Sequence, residues 1–301
     1  MVTRRHASPK YFRAVVSCGS TMTSPQVSRR TALSILAASS LAVKNVQAAK
    51  RIPIGLEIYS VREEFKKNEI STLEAVAGMG YECVEFHGVY AEWTPEHTKQ
   101  IRSKLDSLNL KCYSTHNSRK AFAGDDLKHA LELNKILGCR YMVLASPGKA
   151  TTLDDWKQVA DVLNQGNHEM RRAGLHAGYH NHIAEWKEID GKVPMELLAQ
   201  NTDKSIMLQL DVGHCLAAGA DPVAWINDHP GRTRSLHLKD WSKEKEFEAL
   251  FGEGDAPWKK ILSAAQGKGG VEYYLIEQEG KKYPELETAD RCLIAYRNLA
   301  G

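Results

Sequence analysis

From Arg51 onward the chain alternates short apolar, strand-like runs with longer helix-like stretches. It does so eight times, at intervals of roughly 25 to 35 residues, and this regularity restricts the fold more than any single motif. The strand-like runs are Ile54–Tyr59, Cys83–Phe86, Leu110–Ser114, Tyr141–Ala145, Leu175–Tyr179 and Ile206–Leu210, then two more ending at His237 and Glu277. The helical stretches carry their own punctuation. Thr94 stands before Pro95, Gly138 and Gly174 follow two helical patterns, and Ser71 with Glu74 three residues on marks a start. Strands separated by helices pair in parallel, and eight such units predict one closed (β/α)8 TIM barrel, typically ~250 residues long. Arg51 to Gly301 is 251 residues. A doubly wound open sheet would want a glycine-rich turn after the first strand, and Tyr59-Ser-Val-Arg62 has no glycine.

Charge is distributed unevenly. The whole chain carries 40 Lys and Arg against 37 Asp and Glu, but its first 48 residues hold seven basic residues and no acidic one. The remainder is therefore slightly acidic, which argues against a nucleic-acid partner. The basic segment contains Ser28-Arg-Arg-Thr31, an apolar run from Thr31 to Val43, and Val46-Gln47-Ala48. These features predict a twin-arginine export signal over residues 1–48, a catalytic domain over 49–301, and a periplasmic or secreted location. Met22 would give the signal a conventional length and is an alternative start. The apolar run is shorter than the ~20 residues a membrane span needs, so no stable membrane association is expected. Six cysteines without a C-x-x-C pair are read as buried thiols, Cys18 leaving with the signal.

In a (β/α)8 barrel the chemistry sits at the C-terminal ends of the strands, where this sequence concentrates polar residues. Asp211 ends the sixth strand, His237 the seventh and Glu277 the eighth. Three successive strands ending in oxygen and nitrogen donors, with no sulfur, suit one divalent ion: Mn²⁺, Mg²⁺, Co²⁺ or Zn²⁺. Glu57, Glu85, His87, His116, His180, His182, His214 and Lys239 complete the set. Of these, His214, His116, Glu57 and Glu85 are expected to contact substrate. Lys239 lies two residues past His237, so it faces the same way and is placed to neutralise a developing oxyanion. Trp93, Trp186 and Trp241 flank strand ends, and Trp241 is a candidate for stacking on a bound ligand.

The chain resembles the xylose-isomerase-like TIM-barrel superfamily of sugar isomerases and epimerases. The resemblance rests on Gly55-Leu-Glu-Ile-Tyr-Ser-Val-Arg62, Gly178-Tyr-His-Asn-His182, Leu210-Asp-Val-Gly-His214, Leu236-His-Leu-Lys-Asp240, Gly252-Glu-Gly254 and Ile276-Glu-Gln278. It implies a divalent metal bound from strands five to eight, with Asp211, His237 and Glu277 as the last three ligands. Where ketose epimerases of this kind place a strand-five glutamate, this sequence has Tyr179-His-Asn-His182. The fourth ligand is then His180, His182 or Glu185. The resemblance also makes Glu277 a proton acceptor and sets His180 or His182 across from it. It implies a small carbohydrate substrate, with isomerisation or epimerisation of a free or oxidised sugar as the reaction and a homodimer as the default assembly. Dehydratases and lyases of keto-sugars use the same barrel and form the alternative. Two further alternatives are a sugar-binding barrel without turnover and an abasic-site endonuclease using His87, His116 and His214. The second meets Pro257 of Gly254-Asp-Ala-Pro257 where a metal-binding histidine is expected.

Overall fold

A computed structural model describes residues 51–300; the expected export signal lies outside them. Eight parallel strands close on themselves in sequence order: β1 (Ile54–Glu57), β2 (Cys83–Phe86), β3 (Lys111–Asn117), β4 (Tyr141–Leu144), β5 (His176–His180), β6 (Met207–Asp211), β7 (Ser235–Leu238) and β8 (Tyr273–Ile276). The predicted (β/α)8 barrel is the observed fold. The helices are α1 (Arg62–Lys67), α2 (Glu69–Met79), α3 (Pro95–Ser107), α4 (Gly124–Leu137), α5 (Leu153–Arg172), α6 (Pro194–Asn201), α7 (Val212–Ala217), α8 (Pro222–Asp228), α9 (Trp258–Ala264) and α10 (Glu285–Ala300). No helix among the described residues is long and apolar enough to cross a membrane.

Helix boundaries follow local hydrogen bonding. Thr94 caps α3, its side chain accepting from the His97 N–H, with Pro95 at the first helical position. The start of α2 differs from the expectation at Ser71. Asn68 is the cap and its side chain accepts from the Ser71 N–H, so the helix begins a turn earlier. Gly80 and Gly138 end α2 and α4 in the left-handed conformation that glycine adopts without steric cost.

Alternation along the strands divides the interior into two layers. Leu56, Val84, Met142, Leu144, Leu208, Leu210, Leu236 and Ile276 belong to one large buried cluster with Val76, Ile101, Leu133, Val159 and Leu163 of the helices. Each fully buried aliphatic side chain contributes about 1.5–3 kcal/mol, so this outer layer carries the fold. The opposite face of each strand points into the barrel. There Cys83, Tyr141, Val143, Met207, Tyr273 and Leu275 form a second, smaller cluster. Gly178 belongs to this crowded interior: a Cβ on it would lie 3.0 Å from Val143 Cγ2 and 3.2 Å from Met207 Cε. Further along the same faces the inward residues become polar. β6 shows the gradient within one strand: Met207, then Gln209, then Asp211.

Strand β3 continues to Asn117, beyond the Ser114 expected from sequence. It holds an irregularity: Val84 pairs with Cys112 but Glu85 pairs with Ser114, which leaves Tyr113 as an extra residue. An inserted residue shifts side-chain parity. Thr115 is thereby turned toward the helices, bonding Asn134 of α4, and His116 is turned inward. The five cysteines of the described residues are all free and buried.

Candidate active site

The register brings the inward polar residues to common levels. Glu57 pairs with Glu85, His180 with Gln209, and Asp211 with His237. Across the top of the barrel, one donor atom each from His180, Asp211, His237 and Glu277 falls within a sphere where all are at most 4.8 Å apart. All four residues are buried. Asp211 divides its carboxylate between two tasks. Oδ1 accepts the His214 N–H at 2.8 Å and caps α7, while Oδ2 is buried without a hydrogen bond and faces the Lys239 ammonium at 3.6 Å. His180 Nδ1 is likewise buried and without a hydrogen bond.

Such orphaned lone pairs cost free energy unless something binds them. Two imidazoles and two carboxylates without sulfur form a donor set that fits a divalent cation. Glu57, Glu85, His116 and His237 also converge within 4.8 Å. In that lower group Glu57 Oε2 is buried without a hydrogen bond, while Glu85 is fully engaged. Glu85 accepts from Gln209 Nε2 at 3.0 Å and from the Ser114 hydroxyl, and it faces His116 Nε2 at 3.0 Å and His237 Nε2 at 2.7 Å. The upper group has two orphaned donor atoms, Asp211 Oδ2 and His180 Nδ1, against one in the lower group, and is taken as the candidate cation site.

Electrostatics separates the groups by role. Burial raises the Glu57 carboxyl well above the usual carboxylate range, helped by the charges of Glu85 and Glu277. Burial acts in the same direction on Glu85, but His116 and His237 outweigh it and hold the carboxyl ionised. Two adjacent carboxyls driven apart in this way share one proton. Burial also opposes charge on His237, yet its hydrogen bonds to Glu277 and Glu85 prevail and lift it to about 10. Its Nδ1 lies 2.5 Å from Glu277 Oε2. For Glu277, burial is overcome by the charge of Lys239 and by His237, which keep the carboxylate ionised. His180 is pushed well below the ordinary imidazole range by burial, then by the charges of His237 and His116. A neutral imidazole with a free lone pair is the form that ligates.

Lys239 is 1% exposed and is surrounded by acceptors. Its Nζ lies 2.6 Å from Glu279, 3.2 Å from Glu277, 3.6 Å from Asp211 and 3.4 Å from His214 Nε2. Burial disfavours the ammonium, but the three carboxylates outweigh it and raise its pKa. Glu279 was not singled out from sequence. Its signal was present, because it lies two residues past Glu277 as Lys239 lies two past His237.

A cavity of about 490 Å³ opens beside these groups, within the roughly 300–1,000 Å³ usual for small-molecule sites. Tyr59, His87, His116, His182, His214 and Glu279 supply its side walls, with Asn117, Ser118 and Ser146. His182 is held down at about 4 by burial and by His214, so it is neutral there.

The structure places several expected residues elsewhere. Glu57 and Glu85, expected at the substrate, are 0% exposed and do not line the cavity. Glu185 is occupied by the Tyr179 hydroxyl at 2.6 Å and the His182 N–H at 2.9 Å, and it is absent from the metal groups, as is His182. Of the three strand-five candidates, His180 is the one that belongs to the upper group. Trp241 is half-buried and does not line the cavity. Trp93 packs on Phe86, and Trp186 on Trp225. The aromatic ring that reaches the site from the loop after β7 is Phe247, 5.0 Å from His214 and 5.9 Å from Lys239 Nζ. Sequence reasoning missed it, since nothing in an irregular loop marks which ring turns inward.

Fold and site together define a barrel enzyme-type scaffold with a mixed histidine–carboxylate centre at the C-terminal mouth. Residues 73–294 match the xylose isomerase-like TIM barrel family, and the chain belongs to that family. Among curated relatives, an inosose dehydratase of Geobacillus thermodenitrificans is 26% identical over 167 residues, 48% of this chain and 54% of that protein. The chain thus spans about half the length of that relative. A solved sugar phosphate isomerase/epimerase from Parabacteroides distasonis superposes with a TM-score of 0.71 at 25% identity, covering 84% of this chain and 95% of that one. The IOLI protein, solved with a zinc atom, superposes with a TM-score of 0.67 at 16% identity, covering 82% and 98%, a likeness of fold alone.

Proposed function

We propose that this protein is a divalent-metal-dependent enzyme that takes a proton from the carbon beside a carbonyl of an unphosphorylated sugar or cyclitol and then expels water. The observation that carries the reading is the asymmetry of the upper group: strand eight leads to a carboxylate, Glu277, whereas strand five supplies an imidazole, His180. A single base suffices for elimination, whereas epimerisation needs a proton carrier on each face of the carbon. The inosose dehydratase relatives support the same choice.

His180, Asp211, His237 and Glu277 would hold the cation, and Zn²⁺, Mn²⁺, Co²⁺ and Mg²⁺ all suit that donor set. When bound, such an ion polarises the substrate carbonyl and acidifies the neighbouring C–H. Glu277 accepts that proton. The electron pair left on carbon becomes the new C=C bond as the bond to the β-hydroxyl breaks. Glu277 passes its proton to the departing hydroxyl, so water leaves and the carboxylate is restored. Lys239 stands beside Glu277 and balances negative charge as it moves to oxygen.

The lining of the cavity supports an unphosphorylated substrate. It includes no Lys or Arg, and the nearby Lys239 is already claimed by three carboxylates. The second reading, isomerase or epimerase, is favoured by His182, which lines the cavity as a neutral imidazole able to exchange a proton from another side.

Metal-loaded protein in D₂O, offered a panel of unphosphorylated keto-sugars and keto-cyclitols, is expected to yield a product lighter by one water. Deuterium in recovered substrate or product at one carbon alone, with no loss of water and an inverted or isomerised sugar, would select the second reading. A panel that shows neither loss of water nor exchange with any member would reject both readings. Export belongs to the proposal as well: an Arg29→Lys/Arg30→Lys precursor is expected to remain unprocessed in the cytoplasm, and normal processing and export of that variant would refute the twin-arginine signal.

A further inference from the structure

Two of the buried cysteines touch. Cys112 Sγ and Cys139 Sγ lie 3.3 Å apart, and both residues belong to the outer hydrophobic cluster. The backbone dictates this meeting. Ser114 of β3 pairs with Tyr141 of β4, and just before them the Arg140 N–H donates to Tyr113 O at 2.8 Å, so the alignment of the two segments continues below the first paired residues. Cys112 and Cys139 stand two residues before Ser114 and Tyr141, hence at one level and on one face. Neighbouring strands run ~4.8 Å apart, inside the ~4.4–6.8 Å between Cα atoms that a disulfide spans. Cys112 Sγ otherwise makes a weak S–H bond to Ser114 O at 3.3 Å, so pairing gives up little.

We propose that Cys112 and Cys139 are a disulfide site that staples β3 to the start of β4 when a small disulfide oxidant is present. Closure is a thiol–disulfide exchange. Cys139, 7% exposed against 1% for Cys112, attacks one sulfur of the oxidant's S–S bond as a thiolate and expels a thiolate. Cys112 then attacks the mixed disulfide at Cys139 and expels the second. Two protein thiols give up two protons and two electrons, and the oxidant becomes two thiols. The staple sits one residue ahead of Tyr113, the extra residue on which the inward turn of His116 depends. Neither sulfur belongs to the metal-binding groups, so the staple is independent of the reaction proposed above. Burial and the adjacent Cys112 hold the Cys139 thiol well above its ordinary value, so exchange is slow once the chain has folded.

The test therefore oxidises the full chain while it refolds from urea, in a buffer of oxidised and reduced glutathione. After alkylation of the remaining thiols and proteolysis, mass spectrometry is expected to find the Cys112 peptide joined to the Cys139 peptide. The bond closes a ring spanning 27 residues, and melting followed by circular dichroism should rise by about 5–10 °C over the same protein treated with dithiothreitol. In Cys139→Ala the glutathione-treated and dithiothreitol-treated forms should melt together; each is compared within the variant, so packing lost to the substitution cancels. A redox shift that persists in the variant would overturn the proposal. So would recovery of both cysteines from wild type as separately alkylated peptides, or pairing of either with another cysteine, outcomes that need no variant to fold. A linked pair without a rise in melting temperature would also overturn it, since the bond would then staple nothing.

Discussion

Asp211→Ala should leave the barrel folded but without its divalent ion, and turnover should fall by at least ~10²-fold. The estimate starts from outer partners of metal ligands, whose loss alone costs about 10–100-fold. Asp211 stands one layer nearer, with Oδ2 buried in the upper group and free of hydrogen bonds. Its other oxygen caps α7 through the His214 N–H, so some stability is lost too, about 1 kcal/mol for a missing cap. That is small beside an outer aliphatic layer built from dozens of buried side chains. The measurements are metal content by elemental analysis and melting by circular dichroism. Unchanged metal content in a folded variant would remove Asp211 from the site.

Lys239→Met should have the opposite effect on metal and the same effect on turnover. The ammonium lies 3.2 Å from Glu277 and 3.6 Å from Asp211, two of the four residues proposed to hold the cation. Two unit charges about 4 Å apart repel by about 4 kcal/mol at an effective dielectric of 20. Lys239 can relieve part of this by leaning toward Glu279, already 2.6 Å away. The net expectation is that divalent affinity rises by about tenfold, while kcat drops on the order of 10²-fold for want of a cation near the developing oxyanion. Calorimetric titration of apo protein with Mn²⁺ reads the first effect and steady-state kinetics the second. Weaker metal binding in Lys239→Met would show that the ammonium supports the site instead of competing for it.

Strand ends and their donors were visible in sequence because a parallel barrel strand is an apolar run, and a polar residue closing such a run stands out. Asp211, His237 and Glu277 were found that way, and the structure brings them together with His180. Glu85 was visible but misplaced. In Cys83-Val-Glu-Phe86 it occupies an interior position of a short strand, and whether such a residue meets open space or other side chains depends on the facing strands. Gln209 was lost inside the apolar reading of Ile206–Leu210, although its parity matches Asp211. The inward turn of His116 depends on an irregular pairing between β2 and β3, which no single-strand periodicity reveals. Tryptophans near strand ends misled because a large ring is as readily an anchor for a loop as a wall for a ligand. Trp93 and Trp186 are anchors.

The double duty of Asp211 bears on how such a site can diversify. One side chain supplies both a candidate ligand atom and the start of a helix, so a change to glutamate, which preserves the charge, would displace the oxygen that holds the His214 N–H. Position 211 is thus constrained by backbone architecture as well as by chemistry. His180 caps no helix: its Nδ1 has no hydrogen bond, and its ring packs on those of His116, His182 and His237. A corner whose side chain starts no helix is where a lineage can exchange one donor for another, and with it one proton carrier for another, without rebuilding the backbone around the change.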